Sequence, residues 1–158
     1  MDNKNNDYSI VFSQVQKAYE KNIVINNLNL EIEKGERLIL LGPSGCGKTT
    51  TLRMIAGFEE ITKGDLFMGG ARVNDVAPGE RNIAMVFQSY ALFPHLSVWE
   101  NITFGLQLQK LPQAEIEKRT RQALELLHLE GYENKKTHEL SGGQKQRVAL
   151  CRALVKQS

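Results

Sequence analysis

Long apolar runs are missing from this sequence. The longest, such as Leu38-Ile39-Leu40-Leu41, fall far short of the ~20 residues that a bilayer-spanning helix needs. The polar stretch from Met1 to Asp7 has no apolar centre and does not read as a secretory leader. Cysteine is scarce: Cys46 and Cys151 show neither zinc nor redox spacing, which fits a reducing cytoplasm. His95, His128 and His138 are scattered without the spacing of metal ligands. Neither sign of charge is in excess. Twenty Lys and Arg against eighteen Asp and Glu leave a net charge of +2, too even to argue for nucleic acid or an anionic membrane surface. No repeat, low-complexity tract or interdomain linker breaks the chain. What remains is 158 residues, 41% hydrophobic and 24% charged, enough for one globular domain with a core.

Strand signals come first. Ile10 to Val15 has strand composition, and Leu28, Leu30 and Ile32 alternate with Asn29 and Glu31, the period of a half-buried strand. Glu20-Lys21-Asn22 is the turn between them. Arg37 to Leu41 reads as a short buried strand, and further strands are expected at Asp65 to Met68 and Ile83 to Phe87. Helical periods follow. A helix is expected from near Lys48 to Gly57, and Ser97 with Glu100 forms a capping box for another. Ile116, Thr120, Ala123, Leu124 and Leu127 mark one face of a helix between Pro112 and Gly131. A last helix opens at Ser141 and carries Val148, Leu150, Ala153 and Leu154. The pattern is an α/β core with a helical insertion.

The most specific feature is Gly42-Pro43-Ser44-Gly45-Cys46-Gly47-Lys48-Thr49, a glycine-rich loop between an expected strand and an expected helix. Its glycines let successive N–H groups converge on one phosphate, and the helix start adds its positive end. Lys48 supplies a cation for the β- and γ-phosphates, and the Thr49 hydroxyl is placed for Mg²⁺, so the loop points to ATP. Thr50, next on the helix, belongs to the same nucleotide-binding set. Cys46, beside a helix start, looks like a reactive cysteine only at first glance: no partner base is evident in the sequence, and it reads as a tolerated loop residue. Leu140-Ser141-Gly142-Gly143-Gln144 opens a second helix with adjacent glycines and a serine cap. Taken alone it would be an ordinary capped helix start. Two anion-facing helix starts in one small domain suggest an ATP shared between two surfaces.

Gly42 to Thr49, Met85-Val86-Phe87-Gln88 and Leu140 to Arg147 together resemble, in order and spacing, the ATPase subunits of ATP-binding cassette (ABC) transporters. The run from Gln88 to Ile102 is similar to that of importers for sugars, polyamines or inorganic ions. The resemblance implies a P-loop NTPase core with an N-terminal antiparallel β subdomain and an α-helical insertion. It divides the chain into 9–88 (β subdomain and phosphate loop), 89–140 (helical) and 141–158 (signature helix). It implies that Tyr19 stacks on adenine, with a core tyrosine as the competing reading, and that Gln88 contacts Mg²⁺ and the attacking water. Lys48 and Gln88 are then the catalytic positions. Ser141, Gly142, Gly143 and Gln144 would contact the γ-phosphate held by a second ATPase subunit, in a head-to-tail dimer. The segment Tyr90, Leu92, Phe93, Pro94 and Trp99 would meet a transmembrane permease subunit, with core packing as the equal alternative for Leu92 and Trp99. A solute-binding protein is an indirect partner, and the place is cytoplasmic, on the inner face of the cell membrane. Two departures stand out. Thr137 replaces a frequent proline, and the family's apolar strand ending in Asp-Glu, its loop aspartate and its switch histidine do not occur in these 158 residues. The expectation is a core lacking its C-terminal part, in a chain that binds ATP and hydrolyses it poorly alone.

Overall fold

The computed structural model describes residues 7–156. They fall into two compact units that divide between Asn82 and Ile83.

The first unit is built on an antiparallel sheet ordered β2-β1-β3-β4, with β1 Tyr8–Tyr19, β2 Asn22–Glu33, β3 Lys63–Met68 and β4 Ala71–Arg72. The β1–β2 hairpin turns at Glu20 and Lys21, as the polar tripeptide predicts. β1 does not keep one period. Phe12 and Val15 are both fully buried although three residues apart, because a bulge with Gln14 at φ 49° inserts one residue between them. The Gln14 N–H is satisfied by the Asn29 side-chain oxygen at 2.9 Å. β3 crosses this bulge at Gly64, whose φ is +85° and where any Cβ would collide with the Gln14 carbonyl. Only glycine fits there.

Helix α1 (Lys48–Ala56) buries Thr51, Met54 and Ala56 on the sheet side, where Phe12, Val15, Ile25, Leu66 and Val73 complete the core. It stops at Gly57 in the left-handed conformation, as expected. Its C-terminal end is held by Arg81, a residue that no sequence signal singles out. The Arg81 guanidinium, 6% exposed, donates to the carbonyls of Met54 (2.7 Å), Ile55 (2.9 Å), Val73 (2.8 Å) and Val76 (3.0 Å). The first two bonds satisfy orphan acceptors at the end of α1, and the other two tie that end to the loop after β4.

Two expected strands do not form. Arg37 to Leu41 and Ile83 to Phe87 have no ladder partner among the described residues, and Ile39 and Leu41 are 72% and 88% exposed. Apolar composition supplies the side chains of a buried parallel strand but not the neighbouring backbone that makes it one.

The second unit is helical: α2 Val98–Leu108, α3 Gln113–Leu126 and α4 Gly142–Lys156, packed on one another. The Ser97–Glu100 capping box forms, each side chain accepting from the other's backbone N–H. The predicted face of α3 is buried, and Leu127 packs on the same core. On α4 the inner face is Val148, Ala149, Cys151 and Val155, whereas the expected Leu150 and Leu154 are 37% and 39% exposed. Apolar residues surround this helix on most sides, so its sequence leaves the buried stripe open. Burial pushes the Cys151 thiol up to about 11, which makes it an inert core residue.

Candidate nucleotide-binding site

The glycine-rich loop from Gly42 to Thr49 lies in the first unit. Gly47 is the N-cap of α1 at φ 97°, and a Cβ there would stand 3.1 Å from the Ile25 side chain on β2. Glycine thus lets the loop lie close against the sheet while taking a left-handed turn. Gly45, at φ +81°, has open space beyond it, and at Gly42 a Cβ would meet the Cys46 sulfur at 2.6 Å. Cys46 is therefore a packing residue of the loop, exposed on its other side. Pro43 and Ser44 are exposed at the tip, where the Pro43 carbonyl accepts from the Cys46 N–H at 3.3 Å.

No side chain caps the start of α1, and its first turn holds no acidic residue. Its leading amides and the dipole behind them face outward without an internal anion. The Lys48 ammonium donates to the Gly42 carbonyl, which folds the lysine across the loop. The Thr51 hydroxyl is committed to the Gly47 carbonyl at 2.8 Å. The Thr49 side chain is exposed and Thr50 is half-buried.

Tyr19, in the same unit, ends β1 and is 42% exposed, so it is not a core tyrosine. The Lys17 ammonium lies 4.7 Å from its ring centroid. That ammonium also donates to the Glu60 carbonyl at 2.7 Å and pairs with the Glu59 carboxylate at 3.1 Å. Hydrogen bonding to Lys17, aided by Tyr19, holds the Glu59 carboxyl below the usual carboxylate range.

Gln88 and Ser141 to Gln144 belong to the second unit. Gln88 is exposed in a turn after the segment 83–87. The two residues that follow Ser89, Tyr90 (φ 64°) and Ala91 (φ 46°), are both left-handed. Arg152 of α4 holds them, donating to the Tyr90 carbonyl at 2.8 Å and the Ala91 carbonyl at 2.7 Å, with its guanidinium 6.0 Å from the Phe93 ring. The sequence gives no hint of this role, because Arg152 lies 62 residues along the chain from its Tyr90 acceptor. Leu92 and Trp99 pack against the helical core, and the Phe93 ring lies tilted by 49° against Phe104 with centroids 4.8 Å apart. Thr137, at the position of the frequent proline, is buried.

At the start of α4, the Ser141 hydroxyl accepts from the Gln144 N–H at 3.2 Å, and the Gln144 side chain accepts from the Ser141 N–H at 2.9 Å. The Gln144 amide reaches the Tyr132 hydroxyl at 3.2 Å. Gly142 and Gly143 are exposed, with open space where a Cβ would be.

Residues 25–158 match the sequence model of the ABC transporter family. The chain belongs to the ABC transporter family. It is similar to an osmoprotective compounds uptake ATP-binding protein, GgtA, of Synechocystis, at 54% identity over 94% of this chain and 41% of that one. It is likewise similar to an oligosaccharides import ATP-binding protein, MsmX, of Bacillus subtilis, at 55% identity over 90% of this chain and 39% of the relative. This ABC chain thus spans about 40% of the length of the curated relatives it matches. Among solved structures it resembles cbiO1 of Clostridium perfringens, part of an ABC transporter complex, with TM-score 0.85, 31% identity and coverage of 95% of this chain and 62% of that one. The bacterial ABC transporter cassette MJ0796, whose structure is dimeric, matches with TM-score 0.82 and 33% identity, covering 93% and 69%. The antiparallel sheet with helices is accordingly the architecture of ABC cassettes, of which this chain covers a part.

Among the described residues no helix is long and apolar enough to cross a membrane, and no group of three His, Cys, Asp or Glu is arranged to hold a metal.

Proposed function

We propose that this chain is the nucleotide-binding part of an ATP-binding subunit of an import system. The observation that carries it is the start of α1: a glycine cap, no acidic first turn, and Lys48 folded over the loop by a single carbonyl. A phosphate oxygen is a far stronger acceptor for that ammonium than a carbonyl, so a side-chain rotation suffices to transfer it. The names of the relatives, uptake and import ATP-binding proteins, support the same reading.

In this reading the amides from Gly42 to Gly47 cradle the phosphates, with Pro43, Ser44 and Cys46 forming the loop, and Lys48 neutralises the β- and γ-phosphates. Mg²⁺ arrives with the nucleotide. The described residues fit that role, offering hydroxyl and amide oxygens (Thr49 and Gln88) rather than a carboxylate cage. Thr50 continues the loop's hydrogen bonding, and Tyr19 stacks on adenine. Ser141, Gly142, Gly143 and Gln144 present their helix start to the γ-phosphate of a second, head-to-tail subunit. A dimeric solved relative supports that arrangement. Lys48 and Gln88 position phosphate and water, but neither is a carboxylate or imidazole that would take the proton of the attacking water, so the chain alone binds ATP and turns it over slowly. Transmembrane permease subunits, met through the neighbourhood of Gln88, place it on the inner face of the membrane, and a solute-binding protein acts only indirectly.

The experiment is an ATP titration by calorimetry with Mg²⁺ present. Lys48→Ala is expected to weaken ATP at least ~tenfold, the loss of one charge-assisted contact to phosphate. Equal affinity of the two proteins would show that the loop is not the phosphate site.

A further inference from the structure

Lys17 is 7% exposed, a depth at which lysine is rare unless its ammonium is paired. It has three partners: the Glu60 carbonyl at 2.7 Å, the Glu59 carboxylate at 3.1 Å, and the Tyr19 ring at 4.7 Å. The backbone between Lys17 and Tyr19 is also fixed, because the Ala18 N–H donates to the Thr62 hydroxyl at 2.9 Å. Glu59 and Glu60 follow directly on the Gly57 turn that ends α1, and the Glu59 N–H donates back to the Arg53 carbonyl at 3.3 Å. One helix therefore carries the phosphate loop at its start and the Lys17 clamp just beyond its end.

We propose that Lys17 is a positioning residue for base recognition: it closes one face of Tyr19 and leaves the other as the only stacking surface. The inference rests on the reading of Tyr19 as the adenine-stacking residue. A cation held on the far side draws electron density from the phenol ring, so the open face becomes less negative and stacks better on an electron-rich purine. The layers are ammonium, phenol and base, in that order. Lys17 touches no part of the nucleotide. Its effect is confined to the base, because its partners are Tyr19 and the turn after α1 rather than the loop from Gly42 to Thr49.

The test compares Mg–ATP with inorganic tripolyphosphate, which has the phosphates and no base, by calorimetry on the full 158-residue chain. Tyr19→Ala is expected to lose about tenfold in ATP affinity and none for tripolyphosphate, the scale of one base–aromatic stack. Lys17→Met is expected to lose roughly three- to tenfold for ATP alone, the scale of one partly desolvated cation–π contact. Lys17→Arg, which keeps the cation, is expected to stay within about twofold of the parent chain. If Lys17→Met does not fold, Lys17→Gln carries the same test, since its amide still donates to the Glu60 carbonyl. Unchanged ATP affinity in the neutral variant, with the Tyr19→Ala loss intact, overturns the role of Lys17 while leaving Tyr19 as the stacking residue. Unchanged affinity in Tyr19→Ala overturns the stacking reading itself. Equal losses for ATP and tripolyphosphate in the Lys17 variant would reduce it to a general structural residue.

Discussion

The starts of α1 and α4 solve the same problem in opposite ways. Both helices begin at glycines and hold no acidic side chain in the first turn. At α4, Ser141 and Gln144 satisfy each other's backbone N–H, so two of the orphan donors are answered within the chain. At α1 the cap is Gly47, which has no side chain to offer, and the helix is fastened instead at its far end by Arg81. A helix anchored at its C-terminus and open at its N-terminus keeps its amides available for an external anion. A helix with its own capping box depends less on such an anion, and its two glycines remain bare toward solvent. The difference separates a start left without a cap inside its own chain from one that is capped there and turns only its glycines outward.

The strongest way to break this comparison is to remove the anchor of α1. Arg81→Met keeps much of the volume but strips donors from four carbonyls, two of them in buried surroundings. The expected cost is ~3–5 kcal/mol, the scale of taking a charged donor away from several carbonyls, two of them buried. Hydrogen exchange resolves the two units residue by residue. Protection should fall across β1 to β3 and α1, while α2 to α4 keep theirs. Equal loss in both units would mean that Arg81 does not act as a local fastening.

A smaller effect is expected at the open end. Gly47→Ala places a Cβ 3.1 Å from Ile25 in a backbone at φ +97°. The conformational part costs ~1–2 kcal/mol, and the contact adds about another 1 kcal/mol. Ile25→Ala, which removes the clashing Cγ1, should return the contact part and leave the conformational part when the double variant is measured against Ile25→Ala alone. Full recovery in the double variant would show that the left-handed conformation of Gly47 is not required.

The sequence makes some of this plain and hides the rest, for physical reasons that differ by residue. The start of α1 at the glycine-rich loop, Gly57, the Ser97–Glu100 box and the Ser141 cap are legible because caps and left-handed turns are local events, written in three or four adjacent residues. Arg81, Arg152 and Lys17 are not, because each acts on carbonyls or rings brought near by the fold, and an isolated cation looks like any solvated one. The bulge at Gln14 is hidden for a related reason: it is completed by Asn29 and Gly64 from two other strands. The segments 37–41 and 83–87 show the converse error. Their composition is that of buried strands, but pairing is a property of two backbones, and one sequence segment specifies only its own.

The smallest effect tests the closed end. Ser141→Ala removes the acceptor of the Gln144 N–H and should cost ~1 kcal/mol, the usual value of a serine N-cap. Exchange should quicken at Gly142 to Lys145, and the interior of α4 around Val148 and Cys151 should hold, because burial rather than capping fixes that stretch. The Gln144 side chain would still accept from the residue 141 N–H, so half of the box survives. Adding Mg–ATP to this variant is the informative step. If α1 alone is open to an anion within one chain, nucleotide should slow exchange at Gly47 to Thr50 as much as in the parent chain and restore nothing at Gly142 to Lys145. Recovery of protection at Gly142 to Lys145 on adding nucleotide would mean that the start of α4 also takes phosphate when its cap is gone. The closure by Ser141 would then be a gate on that helix rather than a finished end.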